Sequence, residues 1–555
     1  MREFVQTADA VGATTKKLEK LRLISDYFKS LSTTDAALAA RFLSARAFAS
    51  HDERTLGIGG ANLTRAIAEA AGRTDENLWK TYRKHGDLGD MTEELLRSSH
   101  RDGDIPLADV AELFVQLAAA SVQTQKADLL RQAFADASAG DAKYLVKIIT
   151  GDLRIGSKES FVEEAIAKAY ERPLTDVRRA NMLTGDIAET LTLAAEDRLS
   201  DATARLFRPL GFMLAAPVET AEHLFDKELA GVETQALLVE EKYDGIRAQV
   251  HKDQHGKVRV FSRTLDEVVE FPELVKPLAA LPGELILDGE ILAWHDARPL
   301  PFTELQKRLG RKRVDMFLQH DIPVKFVAFD LLYQDGALLL DEPLANRKTR
   351  LDVVFTSVSP ALRVAERVPC RSAEEVSVAF RNALAAGHEG IVAKVADSPY
   401  TPGRRGGYWF KLKEPFATLD VVVTAVEYGH GKRHEVLSDY TFAVRDGEHL
   451  LNIGKAYSGL TDAEILEYTE YFLQHTVEDQ GYRRIVEPNV VLEVAFNNIQ
   501  KSNRHNSGYA LRFPRIVRLR PDKLVAEIDT LENVAKLFAR QKLQPEEAHD
   551  ADRNR

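Results

Sequence analysis

Apolar residues recur every three to four positions through most of residues 14–204. One such stripe consists of Leu18, Leu21, Ile24 and Phe28. This spacing places the apolar side chains on one face of an α-helix. The N-terminal part of the chain is therefore predicted to be an all-helical domain, with approximate bounds of 1–205.

The pattern changes near residue 206, where runs of strand character begin to alternate with helical segments. After residue 415 the strands are short and are separated by polar or glycine-rich turns, with one helix predicted at residues 462–478. Such short strands are typical of a small β-barrel of the oligonucleotide-binding (OB) type. The predicted fold class is multidomain: an all-α domain (1–205), an α+β domain (206–415), an OB-fold domain (416–540) and a charged tail (541–555) that is expected to be disordered.

Residues 237–252 contain the motif around which the candidate chemistry is arranged. Two strand-like runs flank a Tyr243-Asp244-Gly245 turn, which predicts a hairpin with Lys242 at its mouth. Arg247 is expected on the face of the second strand that is opposite to the apolar residues. A lysine held against a packed sheet near other cations loses its proton more readily, and its neutral amine is a nucleophile. The same spacing, taken alone, also suits an edge hairpin with solvated charges.

Further polar and aromatic positions lie on the other predicted strands of the α+β domain. They are Arg263 on strand 258–263, Glu290 on strand 285–292, Phe329 on strand 326–333, Glu389 at the start of strand 389–395, and Lys411 and Lys413 on strand 408–413. Residues two apart on a strand point to the same side, so the two lysines converge on one region. A solvated strand face explains any one of these charges, but it explains the whole set less well.

These residues together fit a nucleoside triphosphate. Lys242 would attack the α-phosphate, Phe329 would stack on the base, and Glu290 and Glu389 would hold Mg²⁺ with water completing its octahedron. Charge on the phosphate oxygens would be neutralised by four cations: Arg247, Arg263, Lys411 and Lys413. The chain contains no Gly-x-x-x-x-Gly-Lys-Ser/Thr phosphate loop, which excludes the nucleotide-binding mode of the P-loop kinases and helicases.

A second candidate phosphate contact lies near the end of the helical domain. One helix is predicted to stop at Gly151, and Ser157 is positioned to cap the next one, which leaves backbone N–H groups beside Arg154 and Lys158. This arrangement suits a phosphate. An ordinary corner between two helices fits the same residues equally well.

Composition narrows the class of protein. The chain has 555 residues, 45% apolar and 29% charged, so a multidomain globular protein is expected. Cys370 is the only cysteine, which excludes a disulfide framework and a four-cysteine zinc site and suits a reducing, cytoplasmic setting. No apolar run approaches the length of a membrane span. The net charge of −11 argues against general coating of nucleic acid, although local basic clusters occur.

The segment Lys242-Tyr243-Asp244-Gly245-Ile246-Arg247 resembles the first motif of the covalent nucleotidyltransferases. Residues 287–290, 326–333, 389–394 and 409–413 resemble the following motifs in the family's order, and residues 512–523 resemble the last motif. The helical region around residues 143–160 is similar to the DNA-binding domain of ATP-dependent DNA ligases. The resemblance covers nearly the whole chain, in three domains, of which 206–415 would be the adenylation domain.

The resemblance implies that Lys242 takes AMP from ATP, that AMP passes to the 5′-phosphate at a nick, and that the 3′-hydroxyl then displaces AMP. It further implies that Glu240 contacts the adenine or ribose and that Arg405 is another nucleotide contact. Arg512, Arg515, Asp522 and Lys523 would help to bind pyrophosphate in a closed form. The expected cofactors are ATP and Mg²⁺, and the expected partner is nicked double-stranded DNA encircled by a monomer, with no membrane association. Replication, repair and recombination are all implied settings.

Three other classes fit parts of the pattern. An RNA ligase or mRNA-capping guanylyltransferase shares the chemistry, but a capping enzyme does not need the long helical domain. An NAD-dependent ligase usually carries a four-cysteine zinc module, which a single cysteine cannot form. A catalytically silent DNA-binding scaffold would be expected to have lost Lys242 or the carboxylates, and all of them are present.

Overall fold

The computed structural model describes residues 1–73, 75–97, 103–156, 158–230, 236–295, 298–309, 316–356, 359–403, 405–413, 417–429, 433 and 435–543. The chain divides into two compact units, Met1–Lys413 and Glu414–Arg555.

The first unit begins with helices, as the apolar spacing predicted. They are α1 (Arg2–Ala13), α2 (Lys17–Ser30), α3 (Thr33–Leu43), α4 (Gly60–Ala71), α5 (Asp75–His85), α6 (Leu88–Leu96), α7 (Leu107–Ala119), α8 (Gln123–Asp136), α9 (Ala139–Thr150), α10 (Glu159–Ala169), α11 (Leu174–Thr184) and α12 (Ile187–Ala195). Their apolar faces meet in one core, in which Phe4, Phe28, Phe42 and Phe114 are fully buried. Burial of these faces provides most of the stability of such helices.

Local signals set the ends of several of these helices. Ser138 and Asp141 form a capping box at the start of α9, in which each side chain accepts a hydrogen bond from the other residue's backbone N–H. Gly151 ends α9 with a left-handed φ of 74°, a conformation that favours glycine. The predicted stop at Gly151 is therefore confirmed.

The remainder of the first unit is a mixed α/β region. Its strands are β1 (Leu214–Val218), β2 (Leu237–Glu241), β3 (Ile246–Lys252), β4 (Val258–Ser262), β5 (Leu285–His295), β6 (Arg298–Pro299), β7 (Val324–Gln334), β8 (Ala337–Leu338), β9 (Leu362–Val364), β10 (Arg367–Cys370), β11 (Gly390–Val395) and β12 (Arg405–Lys413). Its helices are α13 (Ala221–His223), α14 (Val275–Ala279), α15 (Phe302–Gln306), α16 (Met316–Asp321), α17 (Leu344–Val354) and α18 (Ala373–Ala385). The strands form one sheet in the order β1-β12-β11-β2-β10 and another in the order β4-β3-β5-β7-β8, with β6 added beside β5 and β9 beside β7.

The predicted hairpin around Lys242 is wrong. β2 pairs with β10 and β11, whereas β3 pairs with β4 and β5, so the two strands belong to different sheets. The strands themselves lie where the alternation placed them. Their partners are distant in the chain, because both edges of each strand are occupied by other strands.

The segment before β1 is fixed to β3 by buried polar side chains. The Phe207 N–H donates to Nδ1 of His251 at 2.9 Å, and the Leu210 N–H donates to Oε1 of Gln249 at 2.7 Å. Gln249 and His251 are both fully buried. β3 is therefore buried on both faces, and its polar residues bind the preceding chain.

The second unit is rich in strands, as predicted for the C-terminal domain. It contains β13 (Thr418–Tyr428), β14 (Leu437–Asp446), β15 (His449–Ala456), β16 (Thr476–Asp479), β17 (Arg483–Val486), β18 (Val491–Ala495), β19 (Asn498–Lys501), β20 (Tyr509–Arg512), β21 (Arg515–Leu519), α19 (Asp462–Gln474) and α20 (Leu531–Leu543). Its main sheet runs β15-β14-β13-β17-β16, and β18 pairs with both β13 and β21. The helix predicted at 462–478 ends earlier, at Gln474, because the chain turns into β16. Residues 544–555 of the predicted tail lie outside the described residues.

Candidate active site

Lys242 lies on the segment that crosses from β2 to β3. Its N–H donates to the Gly390 carbonyl at 2.8 Å, and the Glu389 N–H donates to the Lys242 carbonyl at 3.2 Å. Gly245 is required on this segment because a Cβ there would lie 2.3 Å from the carbonyl oxygen of Ile291. Backbone contacts to both sheets thus position the candidate nucleophile.

The carboxylate of Glu389 joins two lysines. Its Oε2 contacts the ammonium group of Lys242 and lies 2.7 Å from Nζ of Lys413. Partial burial opposes the ionised form of Glu389, but the two lysines dominate and lower its pKa. Burial, and then the charge of Glu389, raise the pKa of Asp244. The sequence predicted cations around Lys242, whereas the structure places a carboxylate directly against it.

Glu290 lies on β5, directly opposite Arg247 of β3. Burial raises the pKa of its carboxyl group to about 8, against the opposing charges of Lys242 and Arg247. The negative charge of Glu389 contributes to the same upward shift. A cation between such carboxyl groups would offset their repulsion and their desolvation.

The two predicted metal ligands fit magnesium by their chemistry. Among the residues that the structure describes, no group of three or more His, Cys, Asp or Glu side chains forms a metal-binding cluster. Mg²⁺ usually needs only one or two carboxylates, and water and substrate phosphates complete its coordination. Glu290 and Glu389 match that donor set.

Arg247 is held by side chains that the sequence analysis did not assign. Its Nε and Nη2 donate to the two carboxylate oxygens of Asp288 at 3.1 and 2.7 Å, and its Nη1 donates to the Met213 carbonyl at 2.7 Å. The hydroxyl of Tyr400 donates to Asp288 at 2.7 Å. Most donors of Arg247 are therefore occupied within the protein. Asp288 lies within the motif at residues 287–290 but received no role of its own, and Tyr400 lies in a loop where no periodic signal marks it.

Lys394 contacts both Glu240, which was predicted to bind the adenine or ribose, and Phe329, which was predicted to stack on the base. Phe329 and Trp409 meet edge to face with ring centroids 6.1 Å apart, and Nζ of Lys394 lies 4.4 and 4.1 Å from those centroids. Lys394 donates to Oε2 of Glu240 at 2.7 Å. Burial lowers the pKa of Lys394 to about 8. A lone charge within the apolar run of β11 was the available signal for this residue, because such charges are seldom buried unless paired.

The other predicted nucleotide contacts have different placements. Lys411 is half-buried on β12, on the same face as Trp409 and Lys413. Arg263 is exposed and lies just after β4, so its predicted place within the strand is wrong. The strand ends because Ser262 begins a tight turn in which its N–H donates to the Asp266 carbonyl. Arg405 begins β12, but its side chain lies outside the described residues.

The two predicted DNA contacts of the helical region differ in their exposure and in their partners within the protein. The Nη1 of Arg154 donates to the Gly86 carbonyl at 2.6 Å, and its Nε lies 3.2 Å from Oδ2 of Asp87. Lys158 is exposed and is the N-cap residue of α10, without a side-chain cap hydrogen bond. Ser157, which was predicted to cap this helix, lies outside the described residues.

The predicted pyrophosphate contacts belong to the second unit. The guanidinium of Arg512 lies 4.6 Å from the ring centroid of Phe513, and Arg515 is exposed at the start of β21. Lys523 contacts the carboxylate of Asp420. Hydrogen bonds donated by Arg520, the largest effect, lower the pKa of the Asp522 carboxyl group to about 2.

Three family models match the chain in order. Their descriptions are "DNA ligase N terminus" for residues 1–167, "ATP dependent DNA ligase domain" for residues 212–413 and "ATP dependent DNA ligase C terminal region" for residues 433–523. A probable DNA ligase of Koribacter versatilis is 51% identical over 565 residues, which span 98% of this chain and 97% of that protein. The chain belongs to the ATP-dependent DNA ligase family.

Other comparisons agree with this ligase assignment. A DNA ligase of Methanoculleus marisnigri is 35% identical over 552 residues, spanning 97% of this chain and 98% of that protein. The solved structure titled Pmar-Lig_PreS3 has a TM-score of 0.60 at 16% identity, covering 93% of this chain and 99% of that one, which is a likeness of fold. The predicted family, fold class and enzyme class are confirmed: the chain is an ATP-dependent DNA ligase, and nick sealing is the activity of this family. Within the described parts of the ligase, no helix is long and apolar enough to cross a membrane.

Proposed function

We propose that Lys242 is the nucleophile that takes AMP from ATP. Its Nζ forms a bond to the α-phosphorus, the bond from that phosphorus to the bridging oxygen breaks, and pyrophosphate leaves while the amine releases a proton. The contact between Lys242 and Glu389 carries this proposal, because it holds the amine beside a carboxylate and next to Lys413. In the later steps AMP passes to the 5′-phosphate of a nick, and the 3′-hydroxyl displaces it.

The surrounding residues would orient the nucleotide. Glu240 and Phe329 would contact the base, and Lys413 would face the α-phosphate. The remaining nucleotide contacts are Arg247, Arg263, Arg405 and Lys411. Arg247 is held rigidly by Asp288, which suits a residue that positions substrate with little loss of entropy on binding.

Magnesium would be held by Glu290 and Glu389. When bound, the ion would neutralise charge that develops on the phosphate oxygens. The raised pKa of Glu290 supports this assignment, because burial makes its negative charge costly without a cation nearby.

Contacts to DNA and to pyrophosphate would come from other parts of the chain. Arg154 and Lys158 would bind the phosphate backbone, and Arg512, Arg515 and Lys523 would contact pyrophosphate.

We further propose domain bounds of 1–205, 206–415 and 416–540, and a cytoplasmic monomer that encircles nicked duplex DNA in replication, repair or recombination. Light scattering with and without nicked DNA tests whether the chain is a monomer. If the second unit must move relative to the first during the reaction, crosslinking the two units should block sealing.

The decisive measurement is the intact-protein mass after mixing with ATP and Mg²⁺. The wild-type chain and Lys276→Ala, an exposed lysine variant in the same domain, should both gain one AMP, whereas Lys242→Ala should gain none. Incubation of the adduct with nicked duplex DNA should then release AMP and join the strands. Retention of the adduct in Lys242→Ala would overturn the assignment of the nucleophile. Adduct formation from NAD or GTP in place of ATP would overturn the nucleotide assignment.

A further inference from the structure

Helix α17 carries two consecutive cations that are completely buried. Arg347 is 0% exposed and Lys348 is 1% exposed. Burying a charge costs several kcal/mol unless a partner compensates for it, and apolar residues of similar size are often at least as stable. A helix that buries two charges side by side is therefore not explained by packing alone.

The two cations bind partners in different sheets. The Nε and Nη2 of Arg347 donate to the two carboxylate oxygens of Asp330 on β7, at 2.8 and 2.9 Å. The ammonium of Lys348 contacts Oε1 of Glu240 on β2. Asp330 directly follows Phe329, so the start of α17 joins the two strands that carry the proposed base contacts.

Backbone hydrogen bonds fix the start of α17 in this place. The Leu344 N–H donates to the Ser398 carbonyl at 2.9 Å, and the Ala345 N–H donates to the Ala396 carbonyl at 2.9 Å. Lys348 therefore extends toward Glu240 from a helix whose first turn is fixed by backbone hydrogen bonds.

The carboxylate of Glu240 is held at both oxygens. Lys348 contacts Oε1, and Lys394 donates to Oε2 at 2.7 Å. Each carboxylate oxygen has two lone pairs, so each retains an acceptor position for a further partner. The Glu240 carboxylate is therefore a fixed hydrogen-bond acceptor. It lies beside a fixed donor, the ammonium of Lys394, which is next to the ring of Phe329.

That order of acceptor and donor matches one purine. Adenine has an amino donor next to a ring-nitrogen acceptor, whereas guanine has a carbonyl acceptor next to an N–H donor. We propose that Lys348 is a positioning residue which, by fixing the orientation of the Glu240 carboxylate, sets the preference for adenine over guanine nucleotides. This inference rests on the proposed role of Glu240 as a base contact and concerns Lys348 alone.

The test compares Lys348→Met with the wild-type full-length chain. Rates of nucleotide adduct formation with ATP and with GTP give KM and kcat for each nucleotide. Because the freed carboxylate can rotate, we expect the KM for ATP to rise about tenfold and the ATP-to-GTP ratio of kcat/KM to fall about tenfold or more, with kcat for ATP nearly unchanged. Lys348→Arg should restore part of the ratio.

Lys252→Met is the matched control. Lys252 is also buried, but its ammonium donates to the Gly283 carbonyl at 2.6 Å, and it lies at the end of β3, in a different sheet from Glu240. An unchanged ATP-to-GTP ratio in Lys348→Met, or an equal change in Lys252→Met, would overturn the inference. If Lys348→Met does not fold, the double variant Lys348→Met with Glu240→Gln removes both charges. A double variant that still prefers ATP as strongly as the wild type would equally refute the proposal.

Calorimetric binding of ATP and GTP separates this inference from the proposed reaction. A wild-type chain that binds ATP more tightly than GTP but forms no adduct would defeat the role of Lys242, and the effect of Lys348→Met on binding would still decide the role of Lys348. A wild-type chain that binds both nucleotides equally would overturn the inference about Lys348 even if the adduct forms.

Discussion

The ammonium group of Lys242 contacts the carboxylate of Glu389, although the two residues are 147 positions apart in the chain. Lys413 binds the same oxygen atom at 2.7 Å. One carboxylate thus brings together a lysine of the segment between β2 and β3 and a lysine of β12. Removal of its charge would leave two adjacent ammonium groups without their common partner.

We therefore expect Glu389→Gln to slow formation of the AMP adduct by about 100-fold, because the amide neither neutralises the lysines nor serves as an anionic metal ligand. Single-turnover measurements of intact-protein mass give this rate. The control is Glu267→Gln, which removes a surface partner of Arg259 in the same domain. Adduct formation at the wild-type rate in Glu389→Gln would show that the contact has no role in the reaction.

The close approach at Gly245 predicts a defect in both stability and activity. In Gly245→Ala the new Cβ would lie 2.3 Å from the Ile291 carbonyl oxygen and 2.9 Å from Cγ of Glu290. The backbone would have to shift, so we expect a loss of about 1–3 kcal/mol in the free energy of unfolding and slower adduct formation. Urea denaturation measures the first. Gly60→Ala, where no atom lies within 4 Å of the new Cβ, should change neither quantity. A Gly245→Ala variant that is as stable and as active as Gly60→Ala would refute the steric argument.

The burial of His251 leads us to expect that the protein loses stability in mild acid. Burial, followed by the charge of Arg259, lowers its pKa from 6.5 to about 3. Between these values the unfolded chain binds a proton that the native chain does not, so the free energy of unfolding falls as the pH decreases below 6.5. The slope from this one group is about 1.4 kcal/mol per pH unit.

His251→Asn should remove that slope, because the Asn oxygen can still accept the Phe207 N–H but does not titrate. We expect the difference in unfolding free energy between pH 6.5 and pH 5 to shrink by about 2 kcal/mol relative to the wild type. The exposed His255→Asn serves as the control and should keep the wild-type slope. A steep slope retained by His251→Asn would assign the acid sensitivity to other groups.

Lys158 predicts a change in the salt dependence of DNA binding. Its side chain is exposed at the start of α10, where helix N–H groups and the helix dipole favour a phosphate. For Lys158→Ala we expect weaker binding to nicked duplex DNA and a slope of log affinity against log salt that is smaller by about 0.9, as for one lost phosphate contact.

Fluorescence titrations at several salt concentrations measure this slope. Lys168→Ala removes an exposed lysine from the other end of the same helix and should leave the slope unchanged. An identical slope in wild type and Lys158→Ala would place the DNA phosphate elsewhere. Unfolding transitions should be alike for both variants, because neither side chain is buried.

Several outcomes of the sequence analysis depended on short-range patterns. The spacing of apolar residues identified residues 14–204 as helical, and strand-like runs, some alternating and some mostly apolar, identified β2, β3, β5, β7, β11 and β12. The ordered motifs identified the family, which the comparisons confirm. Lys242, Glu290, Glu389 and Lys413 were chosen from the predicted strands and the segment beside them and also lie within those motifs, and the structure brings them together at one site. Their catalytic and metal-binding roles remain proposals.

The partners of each element were decided only by the tertiary structure. The sequence predicted β2 and β3 as one hairpin, but their hydrogen-bonding edges are satisfied by strands far away in the chain. Alternation with a period of two determines which way a side chain points and contains no information about the neighbouring strand. The contact between Lys242 and Glu389 depends on that pairing.

The sequence by itself determined most of the helical and strand segments, the family and the candidate site residues, because periodicity and motif order are properties of neighbouring positions. Only the tertiary structure decided that Lys348 and Lys394 bind Glu240 from two sides and that Asp288 binds Arg247. In the sequence, Lys348 stands between Arg347 and Thr349, and this polar setting is the same whether the lysine is solvated or buried. The difference arises from desolvation and from a carboxylate supplied by a distant strand, and both exist only once the chain is folded.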